Sequence, residues 1–171
     1  MGMASSRRYG SQEITLTTTS TDSDWKVLYT GSSKLVSPST VKWKVFGDVI
    51  HLQNSYEGYD TPTIDLSGNI GSRDIVLSTD AGLTMVYFTS KELVALDVSK
   101  AKSLNFLICD SNKLIELDIS KNLKLFRLNC LYNPNLTTIY VNQNQLDKLN
   151  GVIPSNWNWN KDAHTKYVLK Q

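Results

Sequence analysis

A chain of 171 residues with 40% apolar and 20% charged side chains can bury a core of its own, which excludes a disordered polymer and a disulfide-dependent miniprotein. Its 18 basic and 16 acidic residues are scattered and sum to +2, so the clustered basic footprint of a nucleic-acid-binding surface is absent. No run approaches the roughly 18 apolar residues of a membrane-spanning helix, and no apolar core of a signal peptide stands near the start.

Taken in chain order, residues 1–12 are polar and irregular and read as a disordered or vector-derived lead. Residues 13–71 read as a β-rich N-terminal cap. Short strands are expected at 13–18 (EITLTT), 25–30 (WKVLYT), 41–46 (VKWKVF), 49–53 (VIHLQ) and 63–67 (TIDLS), separated by Ser, Gly, Asp and Pro breakers. That spacing suits antiparallel pairing. The segment's expected task is to cover the first turn of the repeats at 72–150, because a stacked array leaves core and strand edges bare at its end.

Those repeats are plain in the sequence. The 21-residue stretch from Leu93 (LVALDVSKAKSLNFLICDSNK) is matched by the 21 residues from Leu114 (LIELDISKNLKLFRLNCLYNP). Leu93, Leu96, Val98, Leu104, Leu107, Cys109 and Asn112 recur as Leu114, Leu117, Ile119, Leu125, Leu128, Cys130 and Asn133. One offset backwards meets Ile75, Leu77, Leu83, Val86 and Phe88. One forwards meets Leu136, Ile139 and Val141, a residue late, then Leu146 and Leu149 in step. In L-x-L the two apolar side chains share one face of a short strand, and stacking copies merges these columns into a core. Parallel strands are expected near 86–88, 107–109, 128–130 and 149–151, in a right-handed coil without long helices. Asn112 and Asn133 should end the strands as a ladder, their amides bonded to backbone groups that the turn leaves unpaired.

The segment LNFLICDSNKL (104–114), read as L-x-x-L-x-C-x-x-N-x-L, together with LDVSK and LDISKN, resembles bacterial leucine-rich repeats of the 21-residue nested type. The likeness covers residues 83–150 and is closest over 93–133. The ending from Ile139 to Lys170 also looks like the C-terminal region of such proteins. The resemblance implies a mainly β, leucine-rich-repeat solenoid with short parallel strands, a β-rich N-terminal cap and a short C-terminal cap at 151–171. It implies an interaction or adhesion role at the bacterial surface or outside the cell, and it assigns no substrate.

A search for chemistry is largely negative. His51 and His164 stand in different end regions, and no zinc-protease, phosphate-loop or calcium-loop motif occurs. No cofactor and no metal site is expected. Cys109 and Cys130 take the same inward position in adjacent turns, where parallel side chains suit packing as buried free thiols better than bridging. Asp97 and Asp118 form a small acidic column better explained by turn bonds with Ser99 and Ser120 than by calcium. Trp157 and Trp159 in N-W-N-W-N alternate onto one face; they read as a lid on the last turn, with a sugar-stacking platform as the alternative.

The outward positions of the strands carry the functional expectation. Pleat alternation assigns them Met85 and Tyr87, then Phe106, Ile108 and Asp110, then Arg127, Asn129 and Leu131, with Tyr132 beside them. A merely solvated face would be polar here. Apolar and aromatic side chains on such positions mark an interface. The chain is therefore expected to be a non-enzymatic module that binds a protein partner through this concave face. Self-association through the apolar strands is a variant of that reading. A carbohydrate-binding module using the C-terminal tryptophans is the alternative.

Overall fold

In the computed structural model, which describes residues 11–27, 29–32, 41–47, 49–53, 61–79 and 82–171, the chain is mainly β, with its described strands in two sheets. The N-terminal part supplies β1 (Gln12–Thr18), β2 (Tyr29–Ser32), β3 (Val41–Val45), β4 (Val49–Gln53) and β5 (Arg73–Thr79). From there strands alternate between the sheets: β6 (Leu83–Tyr87), β7 (Leu93–Asp97), β8 (Phe106–Ile108), β9 (Glu116–Asp118), β10 (Arg127–Asn129) and β11 (Thr138–Val141). A short helix, α1 (Gln143–Leu149), precedes β12 (Asn158–Asn160) and β13 (Lys166–Leu169).

One sheet has the order β13-β11-β9-β7-β1-β5-β3-β4, the other β12-β10-β8-β6-β2. In the smaller sheet β6, β8, β10 and β12 run parallel, with β2 antiparallel on its edge. In the larger one β7, β9, β11 and β13 run parallel. Strand β1 breaks that direction: it lies antiparallel between β5 and β7. Each pass of about 21 residues thus lays one strand in each sheet.

The 21-residue offset is realised in the pairing: Leu107 sits beside Leu128, and Val86 beside Leu107. The inward leucines, with Phe88, Cys109 and Cys130 at a corner, form one buried cluster with Ile14, Leu16, Trp43, Ile75 and Leu77. Full burial of each such side chain stabilises by roughly 1.5–3 kcal/mol.

Several expectations change. The strand placed near 149–151 is absent, because Leu146 and Leu149 belong to α1; the next parallel neighbour of β10 is β12. The capping box of Asn142 and Gln145, each side chain bonding the other's backbone N–H, fixes that helix start. Ile75 and Leu77, at the repeat spacing, sit in the antiparallel β5 rather than in a parallel pass. The TIDLS segment is no strand: Ile64 makes one isolated bridge with Trp25. Strands β1, β3 and β4 fall where the alternation puts them, whereas the strand expected at 25–30 is displaced to Tyr29–Ser32. Of the lead at 1–12, residues 1–10 lie outside the described residues. No helix among the described residues is long and apolar enough to cross a membrane.

Candidate binding face of the five-stranded sheet

Register turns the outward positions into two rows across the strands. Met85, Phe106, Arg127 and Asn158 are successive neighbours in the first, and Tyr87, Ile108, Asn129 and Asn160 in the second. Beyond the strand ends Thr89, Asp110 and Leu131 stand at the repeat spacing.

The rows differ in exposure. Arg127, Asn158 and Asn160 are exposed, while Met85, Tyr87, Phe106, Asp110, Asn129 and Leu131 are half-buried. Tyr132 is 70% exposed at the rim. Ile108 overturns the expectation that it is accessible: only 7% of it meets solvent. It nevertheless lies outside the main core cluster. Tyr87 and Asn129 flank it on the adjacent strands.

Three members of the face were not found by the sequence. Phe126 packs edge-to-face on Phe106, ring centroids 5.3 Å apart, and is 37% exposed. Asn158 and Asn160 join the rows through β12, and Asn160 Nδ2 donates to Asn158 Oδ1 at 3.1 Å. Their alternation with Trp157 and Trp159 was legible, but the stretch carrying α1 displaced them from the 21-residue offset.

Asp110 is held in place. Its Oδ1 accepts from Thr89 Oγ1 at 2.9 Å and Asn129 Nδ2 at 3.3 Å, and its Oδ2 accepts from Ser111 Oγ at 3.3 Å. Arg127 has no ion-pair partner among the described residues. The face thus has an apolar half on β6 and β8 and a polar half on β10 and β12.

Beneath one end of the face runs the asparagine ladder. Asn112 Nδ2 donates to the carbonyls of Phe88, Cys109 and Asp110, and its Oδ1 accepts from the N–H groups of Lys91 and Leu93. Asn133 repeats this with Cys109, Cys130 and Leu114. In the last pass Asp162 takes over the acceptor part, receiving the N–H groups of Tyr132 and Asn133. Beside the ladder Ser90, Ser111 and Tyr132, at φ 55, 57 and 58°, occupy the left-handed region at the repeat spacing.

Both cysteines are free and buried. Burial pushes the Cys130 thiol up to about 12, with Asp162 adding to the rise, and pushes Cys109 well above its usual range. Neither is a nucleophile near neutral pH.

At the C-terminal end Trp157 and Trp159 stack at 4.3 Å and 7°. Trp159 packs on the core, and Lys148 Nζ stands 4.5 Å from the Trp157 ring. A stacked indole takes one face of Trp157, so the ammonium takes the other. Asp97 and Asp118 are cross-strand partners that cap turns through the N–H groups of Ser99 and Ser120, at 2.9 and 3.0 Å. Among the described residues no group of three or more His, Cys, Asp or Glu side chains could hold a metal.

Comparison of the chain with family models, curated proteins and solved structures returns no match.

Proposed function

We propose that the chain is a leucine-rich-repeat solenoid, capped at both ends, that acts as a non-enzymatic interaction module. It binds a protein partner through the outer face of the five-stranded sheet, at or beyond a bacterial surface. The alternation of passes between two sheets and the asparagine ladder support the solenoid reading. The observation that carries the functional reading is the aromatic group formed by Phe106 and Phe126 beside Met85 and Tyr87 on the side of the sheet turned from the core. Aromatic anchors of this kind hold a disproportionate share of interface energy. The platform alternative is the weaker one, since both faces of Trp157 are engaged within the chain.

A photo-reactive phenylalanine analogue at Phe106 tests the reading. It should cross-link one defined protein, or a second copy of this chain. The same analogue at Leu52, exposed on the other sheet, should not. Equal capture from both positions, or none from Phe106, would sink the proposal.

A further inference from the structure

The apolar half of the face leaves its polar half unexplained. Four polar side chains, Arg127, Asn129, Asn158 and Asn160, stand at the corners of a rectangle defined by β10 and β12. Neighbouring strands are about 4.8 Å apart and alternate residues about 6.6 Å. The rectangle is the size of a single sugar ring. Phe126, exposed next to Arg127 in the chain, borders it.

Its chemistry is selective. A guanidinium matches a carboxylate through two parallel hydrogen bonds. Each asparagine amide offers a donor and an acceptor, and a hydroxyl is likewise both. The Asn160–Asn158 bond uses one Asn160 N–H and the Asn158 amide oxygen, which leaves the Asn160 amide oxygen and both Asn158 N–H groups for a ligand. Asp110, whose carboxylate accepts from Thr89, Asn129 and Ser111, forms no ion pair with Arg127. An unpaired cation among amides, with an aromatic ring at the side, fits a ring that carries hydroxyls and one carboxylate.

We infer that this polar half is a subsite for a sugar acid of the uronic class within an oligosaccharide. The inference rests on the reading of this sheet face as a binding surface, and it adds a second ligand to the one that covers the apolar half.

Calorimetric titration with a trigalacturonate and with the neutral trisaccharide of the same linkage tests it on the full chain. The acidic sugar should bind saturably and the neutral one at least tenfold more weakly. Arg127→Gln should remove that preference, and Asn158→Ala should weaken binding several-fold. Both positions are exposed, so folding should be retained, as the thermal transition can show. Several outcomes overturn the inference: no saturable binding of the acid, equal binding of both sugars, full binding by Arg127→Gln, or equally tight binding of a glutamate-rich peptide of the same charge. If the acid fails while Phe106 still cross-links a protein, this inference falls alone. If both fail, the face is not a binding surface.

Discussion

Asn133 donates from Nδ2 to the carbonyl of Cys109 at 3.0 Å, reaching back one pass of the chain. Asn112 does the same to Phe88 at 2.7 Å. Both amides are buried, and their bonds to the Phe88, Cys109 and Cys130 carbonyls and to the Leu93 and Leu114 N–H groups are buried with them, where water is a poor substitute. Asn133→Ala should lower unfolding free energy by about 2–4 kcal/mol, since it strands several buried groups at once. Asn133→Asp should do no better, because a carboxylate cannot donate to Cys109 and Cys130. Urea denaturation measures both; a loss within error of zero would show that the ladder is ornamental.

The left-handed residues give the opposite sign. A non-glycine residue in that region costs roughly 1–2 kcal/mol, whereas glycine loses only about 0.5–1 kcal/mol in chain entropy. Ser111→Gly should therefore be neutral or stabilising by up to about 1 kcal/mol, and Ser111→Val clearly destabilising. The pair of midpoints decides it. Stabilisation by valine would contradict the backbone conformation.

The thiols make stability depend on alkaline pH. Both stay protonated in the fold beyond the point where they ionise in the unfolded chain, near pH 8.5. Their contribution is complete below that point and is lost as pH rises toward the folded value, about 12 for Cys130. Each thiol adds a slope of up to roughly 1.4 kcal/mol per pH unit. Unfolding free energy should fall from pH 9 upward, and Cys130→Ala should flatten the fall. A thiol reagent should find both cysteines only after denaturation; a fast native reaction would contradict their burial.

Ile108 separates stability from binding. Because it is almost fully covered, Ile108→Ser should cost about 1–3 kcal/mol. Phe106→Ala should weaken association with the cross-linked partner at a smaller cost in stability. Combining the two substitutions would confuse these effects, so each is read alone, by denaturation and by binding. If Ile108→Ser leaves stability unchanged, the face is more open than its accessibility indicates.

The repeated positions were legible because stacking demands the same side chain at the same place. Leu107, Leu128, Cys109, Cys130 and the two asparagines could be set in register from spacing alone. Spacing misled at Leu146 and Leu149, because L-x-x-L suits a helix as well as a coil pass. The deciding signal, Asn142 with Gln145 three residues on, was present in the sequence. The burial of Ile108 was not legible: outward is a property of the strand, but exposure depends on neighbours that alternation does not name. The partners of β1 were hidden too, since its alternation says which face it buries and not beside which strand it lies.

That placement of β1 sets an order of events. Later passes meet their neighbours within a short stretch of chain, so they can form one after another with little loop entropy to overcome. Leu16 must wait for Leu96, and Gln12 for Thr79. Strand β1, made before both of its partners, is therefore among the last of these strands to find its place. Until then β7 lacks its β1 neighbour, and closing that seam spans more chain than any other strand pairing among the described residues, so it carries the largest loop-closure cost.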